Sequence, residues 1–283
     1  MLYSASRQPP PEVHSSNFPP APVPNHDGEM QIWALGHYQR IADLIAAMAR
    51  DLVGTAGIQP GQRVLDVGAG SGNAAIPAAR AGAVVTALDV TPEMLDLGRA
   101  AAGDLPIEWV EGDAMDMPFA DGTFDVVLSC FGAMFAPDHD ATAREIVRVC
   151  RPGGLIVMAN WVPDGNIGRF FEVLGKHGPA PATGPAPTLW GDPEHLRALF
   201  PGQPVECERR FVELEFSGTV EELVALYESS FGPVVAIRSA LDDAGRAAFH
   251  RDLLDLFVAE NEGTTGGPGR WRYPWLHVRI VTS

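Results

Sequence analysis

From Arg63 onward, short runs of apolar residues alternate with stretches whose apolar positions recur every three or four residues. The runs cover 64–67, 84–90, 107–110, 124–130 and 155–159, and helical spacing fills 74–81, 93–102 and 141–150 between them. Val, Leu and Ile fill the runs continuously, as strands covered on both faces require. Their alternation with helices predicts a parallel sheet with helices on either side. Pro152, Gly153 and Gly154 are read as the stop of the helix before the fifth strand.

Different patterns flank this unit. Over 29–53 the positions Ile32, Leu35, Ile41, Leu44, Ile45, Met48 and Leu52 keep helical spacing with a break at Gly36, which predicts one or two covering helices. Val212, Leu214 and Phe216 alternate with Glu213 and Glu215, and Val278 and Ile280 with His277 and Arg279. These predict half-exposed antiparallel strands over 210–216 and 275–282. Between them 220–227, with Thr219 as its cap, and 243–260 read as helices, the latter with Phe249, Leu253, Leu256 and Phe257 on one stripe. Residues 162–206, dense in Gly and Pro around Phe170, Phe171 and Trp190, predict a lid insertion, and proline-rich residues 1–28 a flexible arm. The expected architecture is α/β: a doubly wound seven-stranded sheet whose last strand pair is antiparallel. One domain spans 29–283, with an N-terminal helical cover and the 162–206 lid.

Composition narrows the functions available. With 283 residues, 46% hydrophobic, 20% charged, the chain can bury a sizeable core. A net charge of −16, with Lys176 the single lysine, repels phosphate backbones and anionic membrane surfaces, so neither nucleic acid nor membrane is an expected partner. No apolar run approaches the roughly 20 residues of a membrane span. Cys130, Cys150 and Cys207 lack CxxC spacing and an even count, against a zinc site or a disulfide framework; no metal is expected, and a reducing cytoplasm fits best.

The chemistry is concentrated in 64–72, Val-Leu-Asp-Val-Gly-Ala-Gly-Ser-Gly. A buried strand runs into Gly68, Gly70 and Gly72 and then a helix expected to be capped by Ser71. Glycines there let a ligand approach the backbone at the positive end of the helix. Dinucleotide folds use a related GxGxxG, but Asp66 stands two positions before the first glycine. A pyrophosphate would be repelled there and an ammonium group welcomed. Asp89 ends the next strand, where a carboxylate can accept both ribose hydroxyls. Asp113, in Glu-Gly-Asp-Ala-Met after the third, is placed to accept an adenine amino group.

These motifs, over roughly residues 60–160, resemble the class I S-adenosylmethionine-dependent methyltransferases, nearest the small-molecule branch that includes the quinone-biosynthesis C-methyltransferases. The resemblance implies S-adenosylmethionine as cofactor. It places Asp66, Gly68, Ala69 and Gly70 around the methionine part and Asp89 with Val90 at the ribose. Asp113, Ala114 and Met115 fall around the adenine, and Cys130 presents backbone to the amino group. Trp33-Ala-Leu-Gly-His-Tyr38 resembles a segment that folds over the cofactor in this branch, with Tyr38 facing it; His37 stands where many relatives carry Asp.

Phe131, Met134, Trp161, Phe170 and Trp190 are the expected substrate side, and such side chains favour an apolar or aromatic small molecule, in keeping with a role in secondary metabolism. No catalytic base is assigned among His37, His139, His177 and His195. A homodimer is compatible with the sequence. Two alternatives use the same motifs: a cofactor-retaining enzyme of this fold that methylates nothing, such as a natural-product cyclase, and an NAD-dependent oxidoreductase. The latter is separable by calorimetry: S-adenosylhomocysteine is expected to bind and NADH to give no heat of binding, and the reverse result would select the oxidoreductase.

Overall fold

A computed structural model describes residues 30–179, 185–263 and 268–283. The expected arm over 1–28 lies outside them, as do positions 180–184 of the expected lid.

The five apolar runs become five parallel strands: β1 (Arg63–Val67), β2 (Val84–Asp89), β3 (Ile107–Glu111), β4 (Phe124–Cys130) and β5 (Cys150–Trp161). The helices α2 (Ala75–Arg80), α3 (Pro92–Ala102) and α4 (His139–Val149) connect them. Val64 to Val67 and Val85 to Leu88 are buried without interruption, so both faces of the sheet are covered. Pro92 opens α3, and the Asp138 carboxylate caps α4 by accepting from the Ala141 N–H.

Pro152-Gly153-Gly154 does not stop α4, which ends at Val149. It lies inside β5 as a bulge that shifts the β4 pairing between Phe124 and Val126. The bulge is held by the last strand's continuation, since Thr282 O accepts from Gly153 N and Thr282 Oγ1 from Gly154 N.

β6 (Val205–Phe216) and β7 (Gly269–Val281) complete the sheet in the order β3-β2-β1-β4-β5-β7-β6, with β7 antiparallel to both neighbours. β6 alternates as expected, and its outward Glu206, Glu208, Glu213 and Glu215 oppose edge-to-edge pairing. The strand β7 is not half-exposed: Tyr273 to Val278 are all buried because it runs between two strands under a helical layer. His277, expected on an exposed face, is hydrogen-bonded to Thr55 of α1 (Gln39–Ala56).

The cover comes from both ends of the chain. A 3-10 turn (Met30–Ala34) and α1 precede the sheet. Helices α7 (Val220–Ser230), α8 (Gly232–Ala240) and α9 (Asp243–Ala259) enter between β6 and β7 and pack with α5 (Asn166–His177). The 3-10 turn lies so close to α8 that a Cβ on Gly232 would fall 1.9 Å from Ile32 O.

The stretch 162–206 is therefore not one lid. The helix α5 joins the cover, whereas the turn Pro187–Gly191 and α6 (Pro193–Leu199) pack against β5 and α4 on a different side. Thr219 forms a capping box with Glu222: Thr219 Oγ1 accepts from Glu222 N at 3.2 Å, and Glu222 Oε2 from Thr219 N at 2.8 Å. Thr219→Ala is expected to lower the unfolding free energy by about 1 kcal/mol, read as a shifted urea midpoint at unchanged slope.

Candidate functional site

Sheet order reverses between β1 and β4, and there the loops leaving the two strands part around a cleft. Gly68, with φ +66°, lies against Gly132. A Cβ on Gly68 would fall 2.6 Å from Gly132 Cα, and one on Gly132 2.3 Å from Gly68 O. Ser129 pins the pair by donating to Val67 O at 2.8 Å and accepting from Ala133 N at 2.9 Å. Beyond this contact Gly70, at φ +54°, has no atom within 4 Å of where its Cβ would stand, so bare backbone faces the cleft.

The expected α2 cap is replaced. Among the described residues Ser71 Oγ has no hydrogen-bond partner, and it is Asp66 that reaches the helix, its Oδ2 accepting from Ala75 N at 2.8 Å. Asp66 is 1% exposed and lies beneath the glycine loop, outside the walls of the cleft, its Oδ1 without a partner among the described residues. Burial, with the nearby Asp89 charge in the same direction, pushes its carboxyl up to about 7 against the pull of the Ala75 N–H.

At the end of β2, Asp89 Oδ2 accepts from Gly70 N at 2.8 Å and Oδ1 from Thr91 N at 2.9 Å. Burial raises its pKa and those N–H groups hold it down. Asp113 Oδ1 accepts from Met115 N at 2.8 Å, folding the turn after β3 back on itself.

The cleft is a groove of about 670 Å³. Of the residues assigned to the cofactor from sequence, all but Asp66 line it: Tyr38, Gly68, Ala69, Gly70, Asp89, Val90, Asp113, Ala114, Met115 and Cys130. Asn73, Met94 and Pro137 also line it and carried no sequence signal beyond standing next to a motif. Asn73 ties the groove to the cover by donating to Ala42 O of α1 at 3.0 Å. Burial pushes the Tyr38 phenol and the Cys130 thiol well above their ordinary values, so both stay protonated.

A second, smaller chamber of about 70 Å³ adjoins the groove, and Trp33, Tyr38, Ile45, Phe131 and Phe135 wall both. Phe131 has φ 60°, the one non-glycine in the left-handed region among the described residues. Its N–H donates to Ala159 O at 2.9 Å, and its ring stacks on Trp161 at 3.9 Å between centroids. Phe131, Trp161 and Phe170 of the expected substrate side line this chamber; Met134 and Trp190 do not. Both are 0% exposed. Trp190 belongs to the core on the α4 side, edge-on to His139 and Phe200. Met134, in the 3-10 turn Ala133–Phe135, points inward because the alternate side chain, Phe135, takes the pocket.

None of the four histidines lines either space. His37 is exposed, and His177 Nε2 lies 2.6 Å from Asp252 Oδ2. His139 is 3% exposed, its Nδ1 3.0 Å from His195 Nε2; burial and that neighbour push its pKa down to about 4.

The raised pKa of Asp66 has a stability consequence. An acid that protonates more readily folded than unfolded contributes stability in full below its unfolded pKa, near 4. It loses that contribution as pH rises to about 7. Unfolding free energy of the ligand-free protein is expected to carry a component falling between pH 4 and 7 that Asp66→Asn lacks, measured by urea titration across that range. Parallel curves for the two proteins would contradict it.

The comparisons with known proteins converge on one chemistry. Residues 65–158 match the family model described as a methyltransferase domain. An uncharacterized protein of Mycobacterium tuberculosis is 40% identical over 262 residues, 89% of this chain and 93% of the relative. A demethylmenaquinone methyltransferase of Renibacterium salmoninarum is 37% identical over 139 residues, 49% of this chain and 55% of that one. Among solved structures, a putative methyltransferase from Bacillus halodurans superposes with a TM-score of 0.57 at 20% identity, over 83% of this chain and 99% of that one. The methyltransferase-domain match over the core of the sheet and the likeness to demethylmenaquinone methyltransferases place the chain among the class I S-adenosylmethionine-dependent methyltransferases.

Proposed function

We propose that this enzyme methylates an apolar or aromatic small molecule received in the chamber behind Phe131. The observation that carries the reading is the junction of two unlike spaces. A groove edged by strand-end carboxylates and bare backbone opens, across five shared residues, on a chamber walled by aromatic and aliphatic side chains. The relative named for demethylmenaquinone supports an acceptor of this kind.

S-adenosylmethionine, when bound, supplies an electrophilic methyl group on a sulfonium. The residues at hand fit it: Gly68 and Gly70 offer backbone without side chains, and Gly70 stands open to the groove. In this reading Gly68, Ala69 and Gly70 meet the methionine part, and Cys130 presents backbone to its amino group. Asp66 acts from beneath the loop, since it holds the start of α2 and does not reach the groove. Asp89 accepts from the Gly70 and Thr91 N–H groups and from the Thr91 hydroxyl, and its carboxylate also faces the groove, where it can take a ribose hydroxyl. Val90 flanks it, and Asp113, Ala114 and Met115 frame the adenine. Tyr38 and Trp33, wedged edge-on to each other at 6.1 Å, close the groove.

Methyl transfer is an in-line displacement, so the chain's task is to align acceptor and sulfonium and to exclude water. The described residues lining the chamber include no carboxylate, imidazole or ammonium group. An acceptor held there gets its position from shape and from the phenols of Tyr38, Tyr227 and Tyr273.

The reading is tested by mass spectrometry after incubation with a methyl-labelled cofactor and a panel of apolar aromatic acceptors; one labelled methyl on an acceptor is expected, and label on none of them would count against it. Asp89→Ala is expected to weaken S-adenosylhomocysteine binding by about ten- to a hundredfold in calorimetry, the loss of two charge-assisted hydrogen bonds. Unchanged affinity would remove Asp89 from the ribose.

A further inference from the structure

The aromatic chamber is apolar except for its phenols, and one of these is unsatisfied. Tyr273 of β7 is 6% exposed and lines the chamber, and its buried hydroxyl makes no hydrogen bond of ordinary geometry among the described residues. Buried hydroxyls are nearly always paired, and one left without a partner at the wall of a cavity is a place prepared for a ligand atom. Tyr227 of α7 lines the same wall, its phenol beside that of Tyr273, which is turned towards it as a donor but makes no hydrogen bond of ordinary geometry with it. Ring packing fixes both: Tyr273 is 6.3 Å from Trp161, and Tyr227 is 5.5 Å from Phe170 and 5.1 Å from Phe257. The hydroxyl therefore has little freedom to turn away.

We propose that Tyr273 is a specificity-determining residue whose hydroxyl donates a hydrogen bond to a hydroxyl or carbonyl oxygen of the acceptor. The acceptor is then an apolar molecule whose oxygen-bearing end enters the chamber. This rests on the chamber being the acceptor site.

Size and charge agree. A space of about 70 Å³ is below the roughly 150 Å³ of a cavity that takes benzene, so one end of the acceptor enters while the remainder lies towards Phe131, Phe135 and the groove. Burial keeps both phenols protonated, Tyr227 pushed up to about 12 and Tyr273 raised well above the usual range, so each presents a neutral donor at physiological pH. A neutral phenol O–H suits an oxygen that is neutral or gains negative charge.

The test uses wild-type protein and Tyr273→Phe, both saturated with S-adenosylhomocysteine and titrated calorimetrically with p-cresol and with toluene. Tyr273→Phe is expected to weaken p-cresol by about tenfold, one lost hydrogen bond, while leaving toluene within twofold. Tyr227→Phe is expected to weaken p-cresol less, because the Tyr273 donor remains. Equal p-cresol affinity for wild type and Tyr273→Phe would overturn the assignment and leave the chamber as an acceptor site, whereas failure of both probes to bind wild type would overturn the assignment and that reading together. Should Tyr273→Phe not fold, a crystal structure of the wild-type protein with p-cresol decides. Its oxygen is expected within hydrogen-bonding distance of Tyr273 Oη, and an oxygen turned elsewhere rejects the proposal.

Discussion

Everything at the centre of this enzyme depends on two backbones touching. The loops after β1 and β4 meet at Gly68 and Gly132, where a single added carbon on either would overlap the other. Ser129 fastens them with two hydrogen bonds. That contact fixes the width of the cleft where strand order reverses, and it places Gly70 N within reach of Asp89, so that β1, β2 and β4 share one rim. Any side chain at position 132 would have to separate two strands that are otherwise packed without a gap.

From that rim outward the molecule divides its polarity. Carboxylates end β2 and the turn after β3 on one side of Tyr38 and Trp33; on the other, residues from α1, β5, α5, α7 and β7 contribute hydrocarbon and rings. Phe131 stands at the boundary in a strained conformation, of the kind that costs about 1–2 kcal/mol and is kept only where the surroundings hold it. Its N–H is tied to Ala159 O and its ring to Trp161. That conformation sets the ring against Trp161 at the end of β5 and into the wall shared by both spaces.

The two buried acids show how one residue type does two kinds of work. Asp66 sits under the loop as a bracket between β1 and α2, and its burial makes it expensive to ionise. Asp89, at the strand end, is steadied by two N–H groups and opens on the groove. Both stand at the carboxyl ends of strands, and their fates separate because only one lies at the mouth.

Local pattern determined the parallel strands and the groove. Continuous apolar runs identify strands buried on both faces, and glycines and acids at strand ends fall at the ligand edge wherever such strands lie parallel. Hence the sequence alone puts Gly68, Gly70, Asp89 and Asp113 along the rim of the groove. The sequence could not show that Asp66 would be covered, because Ser71 and Asp66 are equally plausible partners for α2 until the loop's path is known. Nor could it show that Trp190 and Met134 would turn inward, or that α8 would form over 232–240, since aromatic and small residues read alike as core or pocket. The chamber is the clearest case. Its wall joins Trp33 and Tyr38 from the start of the chain to Tyr227 and Tyr273 near its end, and only the docking of the helical cover on β5 and β7 brings them together. A one-dimensional pattern records burial and period, whereas a cavity is what remains between elements once they have packed.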